Sequence, residues 1–185
     1  MKLLCFALTL CALPAFAQLA PKPGTPDAEP RVYLSGKDLA DMLASADAAA
    51  ETGAAPGLKT LLLSGPFWNK LEYHKELPKG RPIQYRSNVN DAELILVLEG
   101  AGTIFFGGKL VNPVASGSDS FVSGAVDGGT AYKLVKGDMI LIPEGAPHAI
   151  TEVNGKFALM SLHLPHPAQA AAAAPAAGNT PAPGR

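Results

Sequence analysis

The chain has 185 residues, a formal net charge of −1 and only 17% charged side chains, which sets it apart from electrostatic nucleic-acid binders and from coiled coils. Its 48% apolar fraction excludes disorder throughout, and no apolar run reaches the roughly 18 residues of a membrane-spanning helix. The 19 glycines and 17 prolines supply many turn signals, as β structure with loose ends demands.

The chain opens with a short basic start, Met1–Lys2, then an apolar run from Leu3 to Leu13. Pro14 breaks that run, and Ala15-Phe16-Ala17 is a small-x-small cleavage site before Gln18. A short core helix is the competing reading, but the proline and the Ala-x-Ala stop fit export better. Residues 1–17 are therefore expected to be a signal peptide, with cleavage near Ala17 and a periplasmic or secreted product. Cys5 and Cys11 are the two cysteines and leave with the leader, so no disulfide, Cys nucleophile or Cys metal ligand is expected. Residues 18–30 carry Pro21, Pro23, Pro26 and Pro30 and read as an extended linker.

Residues 31–58 are expected to form an N-terminal helical segment. Ser35 can cap a helix over Ser35–Glu51, with Asp38 three residues on. Leu39, Met42, Leu43 and Ala46 form one apolar stripe, and Gly53, Pro56 and Gly57 end it. Residues 59–165 change pattern. Short apolar runs alternate with Gly, Pro, Asn and Asp breaks: Thr60–Ser64, Phe67–His74, Pro82–Asn88, Glu93–Leu98, Thr103–Phe106, Ala131–Val135, Met139–Ile142, His148–Val153 and Phe157–Leu164. Strands of this length at near-regular spacing predict an all-β sandwich or barrel. Ser116 to Gly129 reads as a long Gly/Ser-rich loop, and residues 166–185 as a disordered Ala/Pro-rich tail.

One segment carries more information, Gly137-Asp-Met-Ile-Leu-Ile-Pro143-Glu-Gly145-Ala-Pro-His148. Gly137-Asp138 reads as a hairpin turn, Met139–Ile142 as a buried strand, and Pro143-Glu144-Gly145 as a tight turn from which His148 opens the next strand. This segment resembles the second motif of the cupin superfamily, G-x5-P-x-G-x2-H-x3-N. Gly137, Pro143, Gly145 and His148 match, and Glu152 stands at the Asn position. The first cupin motif, G-x5-H-x-H-x(3–4)-E-x6-G, is matched in spacing by Gly80, Arg86, Asn88, Glu93 and Gly100. Gly107-Gly108 and Gly128-Gly129 also look like the turn glycines of small exported single-domain cupins. The resemblance implies a jelly-roll β-barrel with one N-terminal helix and a small-molecule site at its centre; a homodimer is expected by the same analogy.

In cupins a metal ion is held by two His and a Glu of the first motif and the His of the second. By position, Glu93 and His148 are the retained metal ligands. Asn88 offers a neutral amide, and Arg86 cannot ligate because its guanidinium keeps its protons. Two good ligands fall short of the three or four a catalytic metal needs, so a divalent metal stays open but disfavoured. Three uses of Arg86, Asn88, Glu93 and His148 follow. Arg86 pairs internally with Glu93; or it holds a ligand carboxylate or phosphate bidentately; or Glu93 and His148 work as an acid/base pair on a bound substrate. The first reading of function is thus a binding protein for a small polar or anionic molecule. The alternative is a metal-dependent or acid/base enzyme of oxygenase, isomerase or lyase type using Glu93 and His148.

The remaining candidates have plain readings beside them. His74 reads as a solvated strand end, with a place lining the pocket as the alternative. His163 and Ser161 share one face of the last strand, which looks either into the barrel or outward. His166 lies between two prolines and reads as exposed. Trp68, Tyr73, Tyr85, Phe105 and Phe106 read as core. No Ser-His-Asp order, phosphate loop or CxxC is present.

Overall fold

The computed structural model describes residues 32–54, 59–64, 67–77, 80 and 82–166. The expected signal peptide, Pro-rich linker and all but the first residue of the C-terminal tail lie outside them. The elements in chain order are α1 (Gly36–Glu51), β1 (Lys59–Ser64), β2 (Phe67–His74), β3 (Tyr85–Asn88), β4 (Asp91–Phe106), β5 (Lys109–Leu110), β6 (Val114–Ala115), β7 (Ser120–Ser123), β8 (Val126–Asp127), β9 (Thr130–Val135), β10 (Met139–Ile142) and β11 (His148–Pro165). All pairings are antiparallel. The fold is an antiparallel β-barrel with one helix.

Two long strands organise it. β4 and β11 pair along nearly their whole lengths, from His148↔Phe106 to Pro165↔Asp91. β2 and β3 add to the other edge of β11, and β9 and β10 pair with successive halves of β4. Each long strand replaces two expected short ones, because glycine here bends a strand rather than ending it. Gly100 sits at φ 77°, and a side chain there would collide with the Lys156 carbonyl. At Gly102 an added Cβ would lie 2.6 Å from the Phe157 ring. The register shifts between Asn154 and Phe157 opposite this point. Bulge and glycines together curl the sheet so that it closes.

Two further expectations are corrected. The Gly137-Asp138 turn is not a hairpin. It carries the chain from one half of β4 to the other, fixed by Gly137 N–H to the Val97 carbonyl (2.9 Å) and Val97 N–H to the Asp138 carbonyl (2.9 Å). The segment from Ser116 to Gly129 is not simply a loop. It contributes β7, which pairs with β3, and β8, which pairs with β5. These strands are too short to show a period in the sequence.

The helix begins as its sequence dictates. Ser35 Oγ accepts from Asp38 N–H, and Asp38 reaches back to the Ser35 N–H, a full capping box. Its inner stripe packs Leu43, Ala46 and Ala50 on Tyr73, Ala158 and Leu98, on the outer face of the sheet. Inside the barrel, Ile95, Val97, Ile104, Leu134, Ile142, Phe157 and Leu159 form the apolar core. Phe157 is fully buried.

Candidate functional site

The apolar core fills one part of the barrel. Toward the other end the same inward rows turn polar. Directly paired residues on neighbouring antiparallel strands emerge on one face, so the register writes out the rows. Trp68 pairs with His163, which pairs with Glu93, which pairs with Ile142. One step inward, Lys70 pairs with Ser161, which pairs with Ile95. One step further, Glu72 pairs with Leu159, which pairs with Val97. Polar groups thus sit on β2, β11 and the start of β4, and aliphatic ones take over deeper along β4 and β10.

His148 joins from the other half of β11. The turn before it is stapled to β3: Gly145 N–H donates to the Asn88 carbonyl at 2.7 Å, and Ser87 Oγ donates to the Gly145 carbonyl at 2.8 Å. This fixes His148 opposite Arg86. Its Nε2 lies 3.3 Å from Glu93 Oε2 and its Nδ1 3.1 Å from the Ala146 carbonyl. Both nitrogens face acceptors, so the ring satisfies both when each carries hydrogen.

Glu93 is the hub. Its Oε1 accepts a hydrogen bond from Ser161 Oγ and lies 3.7 Å from Lys70 Nζ and 3.6 Å from His163 Nε2. Burial alone would oppose its charge, but His148, Lys70 and His163 hold the carboxyl well below the usual carboxylate range. Lys70 also pairs with Glu72 at 2.6 Å. Burial works against the ammonium, yet Glu72 and Glu93 outweigh it and its pKa stands above the ordinary value. Glu72, likewise opposed by burial, is held low by His74 and Lys70.

His163 differs from these. It is 6% exposed and stacked on Trp68 at 4.3 Å between ring centroids. Asp91 Oδ2 is 3.7 Å from Nδ1 and Glu93 Oε1 is 3.6 Å from Nε2, both beyond hydrogen-bond reach. Neither ring nitrogen has a hydrogen-bond partner. Burial pushes the His163 pKa down and the Asp91 pKa up.

Exposure grades across the cluster. Side-chain exposure is 31% at His74, 18% at Glu72 and 14% at Lys70, and falls to 7% at His163 and 6% at Glu93. Arg86 is exposed, on the face it shares with His148. It makes no ion pair among the described residues, and the cation beside Glu93 is Lys70, not Arg86. Asn88 turns to β7, where its Oδ1 accepts from Ser120 Oγ at 3.1 Å. Glu152 accepts from Thr103 Oγ1 at 2.8 Å. His74 is not a fully solvated strand end: its Nε2 is buried, 3.6 Å from Glu72. His166 is exposed. Trp68 is a wall of the site rather than core, whereas Tyr73 is core under the helix.

Sequence reasoning missed Lys70, Glu72 and Trp68. The available signal was alternation. In β2, Asn69, Leu71 and Tyr73 are buried, Tyr73 against the helix, and Trp68, Lys70, Glu72 and His74 face the other way. A tryptophan within an otherwise charged row marks a face that is not plain solvent.

The metal implied by the resemblance does not fit these residues. Among the described residues no three His, Cys, Asp or Glu side chains stand together as a metal-holding group. A lysine ammonium also occupies the flank of the best carboxylate ligand, where a divalent ion would meet like charge at short range.

Two surface clefts lie elsewhere. One of about 600 Å³ is lined by Asp47, Tyr73, Lys75 and Lys156 beside the helix. One of about 310 Å³ is lined by Ser87, Phe121 and Pro147, on the face of β3 opposite Arg86.

No protein-family profile and no curated protein sequence matches the chain. Among solved structures, similarity is found to HppE with cobalt(II) and substrate, at 18% identity and a TM-score of 0.43 over 58% of this chain and 51% of that one. Hydroxypropylphosphonic acid epoxidase from S. wedmorenis in complex with fosfomycin matches at 17% identity and 0.43, over 58% and 50%. Hydroquinone 1,2-dioxygenase PnpCD with Cd2+ and 4-hydroxybenzonitrile matches at 17% identity and 0.42, over 58% and 63%. The chain therefore spans about half the length of the first two and under two thirds of the third.

Proposed function

We propose that this chain is an exported, cupin-like protein that binds a small polar or anionic molecule at the polar end of its barrel, without a resident metal. The observation that carries the reading is the gradient from Arg86 to His163. An exposed guanidinium with no ion pair among the described residues stands on the same face as His148, and His163 keeps two buried nitrogens without hydrogen-bond partners. A guanidinium grips carboxylate or phosphate bidentately. The ligand's polar body can then bond to His163 without displacing an existing hydrogen bond, which avoids leaving a buried group unpaired.

The test is a thermal-shift screen of small carboxylates, phosphates and sugars on the purified protein, with Arg86→Ala alongside. A ligand that raises Tm by several degrees, with the rise lost in Arg86→Ala, supports the reading. A complete screen without a shift, or a shift that Arg86→Ala leaves intact, overturns it. Export is tested separately, by N-terminal sequencing of protein recovered outside the cytoplasm; a start at Gln18 is expected.

A second reading, an acid/base enzyme, is favoured by the 3.3 Å His148–Glu93 contact. A carboxylate held this low is a weak base, so proton transfer falls to His148 and Glu93 orients the ring. Turnover of a ligand found in the screen, abolished by His148→Gln with binding retained, would establish it.

A further inference from the structure

We infer that the Lys70 ammonium is the permanent cation of this site, filling by covalent attachment the role that a bound metal ion would otherwise play. The inference deepens the proposed metal-free site and rests on that reading; it does not depend on which ligand enters.

Three contacts fix the ammonium. Nζ lies 2.6 Å from Glu72 Oε1 and 3.7 Å from Glu93 Oε1. It also sits 5.6 Å from the centroid of the Trp68 ring, within cation–π range, and that ring is held in place by its stack on His163. The register of β2 puts Lys70 directly opposite Ser161, whose hydroxyl donates to the same Glu93 oxygen. Hydroxyl and ammonium thus converge on Oε1 while His148 addresses Oε2. Both oxygens of Glu93 are thus engaged by groups of the chain, with Lys70 as the cation. A buried carboxylate must be paired, whether by a metal or by a protein cation, and here the partner is built in.

Truncating Lys70 to alanine leaves a space between Glu72 and Glu93 that matches propylammonium in length and charge. Full-length protein, wild type and Lys70→Ala, is melted with no addition, with propylammonium, with tetramethylammonium, with Co2+ and with EDTA. Wild type is expected to hold its Tm in every condition and to carry no stoichiometric metal. Lys70→Ala is expected to lose about 5 °C or more, and propylammonium at tens of millimolar to restore at least half of that by mass action. Tetramethylammonium, too bulky and without N–H donors, and Co2+ are expected to restore none. Stoichiometric metal in wild type, an EDTA-induced drop, or rescue by Co2+ instead of propylammonium overturns the inference. If Lys70→Ala does not fold, Lys70→Met and Lys70→Arg decide. Methionine fills the volume without charge, so stability equal to wild type in Lys70→Met overturns the inference; retention in Lys70→Arg with loss in Lys70→Met supports it. No ligand is used, so amine rescue alongside a blank ligand screen would retire the ligand reading alone. Failed rescue alongside an Arg86-dependent ligand would retire only the role of Lys70.

Discussion

Two charged clusters lie on opposite faces of β2, one residue apart. On the outer face, Tyr73 donates to Asp47 of the helix, and Lys156 bridges Asp47 at 3.1 Å and Glu99 at 2.6 Å. On the inner face, Lys70 joins Glu72 and Glu93. The chemistry is the same and the surroundings are not. Outer ion-pair side chains are roughly a third or more exposed, so their charges cost little to hold and contribute little. Inner ones keep less than a fifth of their surface, and desolvating each charge costs several kcal/mol before pairing offsets it. The outer cluster clips the helix to the sheet. The inner one serves no packing need, since Ile, Leu and Phe fill the rest of the barrel without it. An expensive polar interior beside an ordinary apolar one is the physical sign of a site.

The comparison breaks first at Glu93. Glu93→Gln keeps the shape but removes the charge that faces Lys70 and His148. Removing one partner of a buried pair strands the other, at a cost of about 3–5 kcal/mol. The outer counterpart, Asp47→Asn, keeps room for the Tyr73 bond and faces solvent, so about 1 kcal/mol is expected. Urea denaturation of both variants measures the gap. Equal losses would mean that the two clusters do the same work.

A smaller, pH-dependent effect sharpens it. Burial lowers the folded-state pKa of His163 from 6.5, so in the window just below that value the unfolded chain binds the extra proton first. Stability attributable to this group is therefore present above about pH 6.5 and falls as pH drops through the window. His163→Phe keeps the stack on Trp68 and removes the titration. The wild-type loss between pH 7.5 and 5.5, read by urea midpoints, should exceed that of His163→Phe. A steeper loss in the variant would reverse the sign and reject a neutral buried imidazole.

How far these features were legible follows from what carries each signal. The helix was legible because its cap and its apolar stripe are local. The bounds of Met139–Ile142 and Phe67–His74 were legible to the residue, because turn residues flank runs of the right length, but Met139–Ile142 is not the buried strand its apolar run suggests, since Met139 and Leu141 are exposed. Glu93 and His148 were found through motif spacing, since the turns that aim them are short-range chemistry. Lys70 and Trp68 were not. Their inward direction depends on the helix covering Tyr73, a contact between elements that no window of the sequence contains. The two long strands were cut at Gly100 and near Gly155 for a related reason: a glycine reads as a break until its partner strand shows a bend.

The smallest expected effect on stability is the most informative about function. Arg86 lies at the exposed end of the inner face and makes no ion pair among the described residues, unlike Lys70 on that face or Lys156 on the outer one. Removing an exposed, unpaired arginine changes stability by no more than about 0.5 kcal/mol. A guanidinium kept for an incoming anion should therefore show a split: Arg86→Ala melts with wild type in the absence of ligand and falls behind only when a carboxylate or phosphate ligand is present. Arg86→Lys keeps the charge but loses the fork, so it should recover part of the shift. If Arg86→Ala lowers Tm without ligand by as much as Asp47→Asn does, Arg86 belongs with the outer cluster as a structural charge, and the mouth of the barrel has no anion receptor.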